Sequence, residues 1–378
     1  MSVVLALQRW NVDYAPRFSY EQNHPAVVAV KIQFESASRE AKFLSPLKNF
    51  EPVTQGLEHR KDPLTGRGTI VIKGRLDYVK SLIETDQNFL DELVESTRGT
   101  CPFCPAAVAT KSPQFPPDLA AEGRIRVGDA ICFPSLFAHE DFNAVVVPTP
   151  NHSLTLDNFT STMIRDGFKA CLVYFGKAEA YTHRKLYAAI AMNFLPPAGS
   201  TVAHPHIQAL ASDLPLQGVA ELQQRSKDYF ENRHSSYWKD LVLTEKELGE
   251  RYLGRIGTVD WLTPFAPLGF CDVQGIVSGK AAISSLSDSE LEDLVTGLTK
   301  VLRFYHENGI RSFNAAIYSE LDEQSEKGFR VSMRIVARYG YRPKFVSDVW
   351  ALQFLFGERE VSESPEETCT RLKRYFVI

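Results

Sequence analysis

The chain has 378 residues, 44% of them hydrophobic and 23% charged, with a formal net charge of −4, which is an ordinary globular composition with apolar material for one large or two medium cores. A slightly acidic balance with no dominating Lys/Arg run excludes a dedicated nucleic-acid binder, and six cysteines in so long a chain make no disulfide framework. No apolar run approaches a membrane span, and residues 3–7 are too short an apolar stretch for a signal-peptide core, so a reduced, cytoplasmic protein is expected.

Residues 1 to about 50 carry no clear chemistry, although residues 26–34 (AVVAVKIQF) read as a strand. Short strands punctuated by Pro and Gly follow at residues 62–75, with Gly66 a natural turn residue. Residues 75–97 have helical periodicity, and the Pro-rich residues 111–119 read as a loop. Residues 124–148 read as two strands, 158–184 as a long helix and 185–194 as a strand. A loop around Gly199 then leads to His204-Pro-His206-Ile-Gln208. Read as a strand, that segment turns His204, His206 and Gln208 to one face.

The same order recurs. Residues 255–278 repeat the strand pair and residues 286–309 the helix, with Ser287 and Glu290 spaced as a capping box. Residues 312–320 (SFNAAIYSE) echo KLYAAIAMN, and residues 328–340 stand where the histidine segment stands in the first copy. An internal duplication of a strand–strand–helix–strand–strand unit predicts an α+β fold, an antiparallel sheet with helices packed on it. Only the first copy keeps histidines on its last strand, so one half carries the chemistry.

Cys101-Pro-Phe-Cys104 has the thiolate spacing of tetrahedral zinc sites; a redox pair or two incidental thiols are the other readings. No second Cys pair exists, so further ligands must be histidines, and His152 and His204 are the best placed of nine. Cys132, Cys171, Cys271 and Cys369 read as core or surface thiols, and His24, His59, His139, His183, His234 and His306 as solvated histidines. His206 is the candidate nucleophile, because a neutral imidazole attacks phosphorus through one nitrogen when its other N–H is held by an acceptor. Gly199, Ser200 and Thr201 offer backbone and hydroxyl donors for phosphate oxygens, and Gln208 a side-chain amide. The alternative is a strand whose histidines fill core hydrogen bonds.

His204-Pro-His206-Ile-Gln208 resembles the signature of the galactose-1-phosphate uridylyltransferase family, the transferase branch of the histidine triad superfamily. Residues 58–72 (EHRKDPLTGRGTIVI), CPFC, PNHSLTL, 193–208, 222–248 and 342–352 follow in family order, from about residue 55 to near the end. The resemblance implies a histidine-triad-like fold and one structural zinc ion per chain, held by Cys101, Cys104, His152 and His204. It implies His206 as the covalent nucleophile and Gln208 as its partner on the transferred phosphoryl group. Asn193, Gly199 and Thr201 would match the phosphate-side loop, and Arg60 an arginine used on phosphate across a homodimer interface. Lys344-Phe345 survives as a further phosphate-side element.

Three departures bear on specificity. The second-half strand reads Ser332-Met-Arg334 where the family often has a His-x-His metal pair. Ser135-Leu136 replaces an Asn-Asp near the nucleoside, and Trp350 and Phe356 stand where a Glu and a Gln grip hexose hydroxyls. Losing those partners disfavours a sugar.

The expected layout is therefore an N-terminal extension (1–54), a catalytic histidine-triad-like half (55–215) and a degenerate second half (216–378). The expected activity is ping-pong transfer of a nucleoside monophosphate, through His206, from a nucleotide or nucleotide-sugar donor to a phosphorylated acceptor. The galactose 1-phosphate/UDP-glucose pair is disfavoured. The alternatives are a nucleoside-diphosphate-sugar or dinucleotide phosphorylase that uses inorganic phosphate, and a zinc-stabilised nucleotide-binding protein without turnover.

Overall fold

A computed structural model describes residues 32–323, 328–344 and 346–377. The strand expected over 26–34 lies almost wholly outside these, as do His24 and Phe345. The described chain opens with a long antiparallel hairpin, β1 (Glu35–Ser45) and β2 (Glu51–Lys61), to which β3 (Gly68–Ile72) adds on. Gly66 makes the β2–β3 turn at φ 73°, donating to the Asp62 carbonyl.

The helical run expected over 75–97 is two helices, α1 (Leu76–Ile83) and α2 (Gln87–Arg98). Asp86 separates them: its carboxylate caps α2 by accepting from Phe89 N–H, and its own N–H donates to the Tyr341 carbonyl. Satisfying the free N–H groups of α2 in this way outcompetes a continuous helix. The short α3 (Pro105–Lys111) starts directly on Cys104, with Pro105 at its first position.

The two copies follow as β4 (Ile125–Val127), β5 (Ala130–Pro134), β6 (Phe142–Val147), α4 (Ser161–Thr182), β7 (Tyr187–Phe194) and β8 (Ile207–Ser212). After the connecting helices α5 (Gln217–Arg233) and α6 (Tyr237–Leu248) come β9 (Tyr252–Ile256), β10 (Val259–Leu262), β11 (Val273–Val277), α7 (Asp288–Glu307), β12 (Phe313–Tyr318) and β13 (Ser332–Ala337). Each copy thus has three strands before its helix where two were expected. Gly128 and Gly257, both at positive φ, make two-residue turns that split what reads as one strand.

The sheet order is β4-β5-β6-β8-β7-β12-β13-β11-β10-β9, mirror-related about the central β7–β12 pair. Short α8 (Ala351–Phe356), β14 (Arg359–Val361), which pairs parallel to β3, and α9 (Pro365–Leu372) complete the chain.

Alternation within the strands decides which face is covered. Ile207, Ala209 and Ala211 of β8, and Met333, Ile335 and Ala337 of β13, are buried in one continuous core beneath α4 and α7. Both helices have the expected starts: Thr160 caps α4, and Ser287 with Glu290 forms the capping box of α7. α4 approaches so closely that a Cβ on Gly167 would lie 2.7 Å from Ile207 Cδ1. Packing against Gly167 holds the start of β8, the residue next to His206. Even-numbered β8 residues turn to the opposite face, away from α4 and α7, and the candidate chemistry lies there.

Candidate active site and metal centre

The expected histidine strand is shorter than the motif. β8 begins at Ile207, after His204 and His206, because Pro205 has no N–H for the ladder. The two histidines occupy an ordered approach to the strand in which ring and backbone contacts replace sheet pairing.

Cys101, Cys104, His152 and His204 converge, with one ligand atom from each lying within 4.8 Å of all the others. Cys101 Sγ is 3.6 Å and Cys104 Sγ 3.7 Å from His204 Nδ1, and Cys104 Sγ is 3.3 Å from His152 Nδ1. Zinc bond lengths of ~2.3 Å to sulfur and ~2.05 Å to nitrogen, at a tetrahedral angle, put such pairs about 3.6 Å apart. The other nitrogen of each ring faces a carbonyl: His204 Nε2 lies 2.9 Å from Thr149 O and His152 Nε2 3.0 Å from Val94 O. These contacts place the proton on Nε2 and the lone pair of Nδ1 toward the cluster, the usual carbonyl–histidine–metal arrangement. Phe103 N–H donates to Cys101 Sγ at 3.4 Å, a contact that favours thiolate. The quartet fits a structural zinc ion.

Burial, against the helpful Thr149 carbonyl, pulls His204 down to about 4, so the ring is neutral, as a metal ligand must be. Burial also lowers His206, opposed by its bond to the His204 carbonyl. His206 Nδ1 lies 3.0 Å from that carbonyl. With Nδ1–H donated there, Nε2 keeps its lone pair. The Phe103 ring, from the Cys-Pro-Phe-Cys loop, meets the His206 ring at a centroid distance of 5.4 Å, so the metal loop also fixes the tilt of this imidazole.

Gln208 lies in β8, opposite Val145 and Ala191, on the same open face as His206. Its amide makes no hydrogen bond with the described residues. Asn193, on neighbouring β7, accepts from Asn314 Nδ2 at 2.6 Å. Gly199 sits in the left-handed region at φ 85° and ends the turn Pro196–Ala198. Its N–H and that of Ser200 donate inward, to the Pro196 and Leu195 carbonyls. The Ser200 hydroxyl is buried and donates to the Val202 carbonyl at 2.6 Å; it shapes the loop instead of pointing out as a phosphate donor. Thr201 is exposed.

Arg60 does not join this group. It is buried, and its guanidinium is spent on Glu58, Glu366 and the Phe265 carbonyl, at 2.9, 2.9 and 3.3 Å. The phosphate role expected of it does not fit a cation so enclosed. Lys344 is exposed, with no hydrogen bond to the described residues. Trp350 and Phe356, expected near a hexose, are exposed at the two ends of α8.

Three contributors have no motif. Thr149 and Val94 act through backbone carbonyls, which leave no residue-type signal. Asn314, with Arg338 behind it, lies in the segment that echoes KLYAAIAMN, and that echo is the one available pointer.

A scan against protein-family models finds no match. An uncharacterized protein of Archaeoglobus fulgidus is 30% identical over 317 residues, covering 84% of this chain and 92% of that protein. Among solved structures, a GalT-like protein of Arabidopsis thaliana superposes with a TM-score of 0.62 at 18% identity, over 83% of this chain and 98% of its own. An ADP-glucose phosphorylase of the same plant, solved with ADP-glucose bound, gives 0.61 at 17%, over 84% and 98%. A uridylyltransferase gives 0.61 at 19%, over 84% and 98%. At these identities the structural likeness speaks for the fold. The chain belongs to one family with the Archaeoglobus fulgidus protein, and its α+β fold is that of the GalT-like and uridylyltransferase structures.

Proposed function

We propose that the protein is a nucleotidyltransferase that works by a ping-pong route through His206. The observation that carries this reading is the double tether of the His204-Pro-His206 segment. The ring of His204 belongs to the metal cluster, while its carbonyl lies 3.0 Å from His206 Nδ1. A residue locked at its ring thus holds the nucleophile's tautomer. His206 Nε2 attacks the α-phosphorus of a nucleoside diphosphate derivative, the bond from phosphorus to the bridging oxygen breaks, and the phosphorylated leaving group departs with the electron pair. An acceptor phosphate oxygen then attacks the same phosphorus, breaks the P–N bond and restores the imidazole. The unengaged amide of Gln208 donates to a non-bridging oxygen, where charge builds up. Asn193, the exposed Thr201 beyond the Gly199 turn and Lys344 supply the phosphate side.

Bound zinc supplies rigidity to this segment and takes no part in the transfer. The acting unit is a homodimer. Leu47 and Phe50 at the tip of the β1–β2 hairpin, and Phe354, Leu355 and Phe356 on α8, are between 67% and 95% exposed, an apolar display that a second copy would cover. Among the described residues no helix is long and apolar enough to cross a membrane.

The test is incubation with α-labelled nucleoside diphosphate sugars and dinucleotides, followed by a search for an acid-labile, base-stable label. The label is expected on the native chain and absent from His206→Ala. Releasing it with sugar phosphates or with inorganic phosphate separates transferase from phosphorylase. A full label on His206→Ala would overturn the reading.

A further inference from the structure

The second half has a cavity on the sheet face turned away from α4 and α7, at the strand position where Ser332 and Arg334 stand. Its volume is about 120 Å³, roughly tenfold the ~10–15 Å³ that one water needs. The β2–β3 turn, α6 and strands β10 to β13 wall it, with Tyr237, Trp238, Phe265 and Tyr318 supplying aromatic surface.

Its polar lining is incomplete. Ser332 Oγ and Glu245 Oε2 are fully buried and have no hydrogen-bond partner. Two of its three guanidinium groups are matched: Arg334 donates to Asp272, at 2.9 Å through Nε, and Arg67 pairs with Glu221. The third, Arg359, has no hydrogen bond or ion pair with any described residue. Burial and the neighbouring Arg67 and Arg334 lower its pKa, against the weaker opposing pull of Asp272 and Asp62. A half-buried cation left unpaired beside a space this large is costly unless something fills it.

We infer that this cavity is a second ligand site, distinct from the His206 site, for a small molecule with a flat apolar body and one oxyanion. The oxyanion pairs with Arg359, and the body lies among the aromatic side chains. A phosphate monoester and a carboxylate share this chemistry.

Thermal denaturation of the full chain with phenyl phosphate, benzoate or phenol distinguishes the sources. Phenyl phosphate, benzoate or both should raise the midpoint by several degrees at millimolar concentration and phenol should not; the oxyanion that does so names the class. The shift should persist in His206→Ala and be lost in Arg359→Gln. A wild-type crystal soaked with the active compound should show its oxyanion against Arg359 and its ring among Tyr237, Trp238, Phe265 and Tyr318, and this result stands whether or not Arg359→Gln folds. The inference falls if neither oxyanion shifts the midpoint, if the shift survives in Arg359→Gln but vanishes in His206→Ala, or if the soaked compound lies elsewhere.

Discussion

Asn314 Nδ2 donates to Asn193 Oδ1 at 2.6 Å across the central β7–β12 pair, where the two residues face each other in register. The same Nδ2 reaches the Ala198 carbonyl at 2.9 Å, just before Gly199. Arg338 Nη1 donates to Asn314 Oδ1 at 2.6 Å, and Asp348 holds Arg338. One asparagine of the second copy thus orients Asn193 by its oxygen, leaves the Asn193 amide hydrogens unengaged among the described residues and braces the Gly199 turn.

Asn314 is therefore a positioning residue. Asn314→Ala should slow formation of nucleotidyl-His206 by roughly 10- to 100-fold, in line with about 1–3 kcal/mol for hydrogen-bonding groups left unpaired in a buried network, and leave zinc content unchanged. Single-turnover labelling reads this directly. An unchanged rate would show that the loop holds its shape unaided.

The metal quartet should bind one zinc per chain. Structural zinc contributes on the order of 10 kcal/mol of apparent binding energy, so Cys104→Ser should lose the metal and lower the unfolding midpoint sharply. Because His204 also tethers His206, it should lose transfer as well. Metal analysis with parallel denaturation decides this, and a native chain that purifies without zinc and cannot be loaded with it would refute it.

Some of this was legible in the residues and some was not. Four ligands of the right type at recognisable spacing announce a metal site, and Ser287 with Glu290 announces a helix start. The mirrored sheet order follows from the repeated pattern of strands and helix. The hidden turns at Gly128 and Gly257 were missed because a two-residue turn barely interrupts an apolar run. The burial of Arg60 was not legible either, since its acid Glu366 lies 306 positions away. The Arg359 cavity draws its walls from segments near residues 62, 240 and 334, and no local pattern joins them.

Glu245 predicts a pH dependence of stability. It is fully buried, on α6, and burial raises its pKa to about 7 despite its bond to Arg251 at 3.0 Å, with Glu366 and Glu250 adding to the rise. An unfolded glutamate titrates near ~4.3. The folded state therefore holds the proton more tightly, and stability is greatest below about pH 4.3 as far as this group is concerned. It is lost as pH rises through about 7. Urea denaturation between about pH 5 and pH 8 should show that loss in the native chain and a flatter profile in Glu245→Gln. Parallel profiles would remove Glu245 as the cause.

The exposed apolar residues on α8 and the hairpin tip predict a homodimer. Phe354→Glu combined with Leu355→Glu should convert a dimer to a monomer on size exclusion with light scattering, with little change in the unfolding of each chain, because both side chains are exposed. A native chain that is already monomeric would overturn this.

The last expectation concerns the sugar. A pocket that reads hexose hydroxyls through charged or amide groups discriminates by orders of magnitude against sites lacking them. The resemblance puts Trp350 and Phe356 at the corresponding positions; they are 48% and 72% exposed, and neither side chain offers a carboxylate or an amide. At the positions that the resemblance puts near the nucleoside, the Ser135 hydroxyl is already donated to the Phe137 carbonyl at 2.9 Å, and the Leu136 side chain is apolar. UDP-glucose with galactose 1-phosphate should therefore be a poor pair, with the loss in kcat/KM larger than any loss in covalent labelling by the preferred donor. Steady-state assays decide it: turnover at an ordinary enzymatic rate of about 10 per second or more would mean that other residues recognise the hexose.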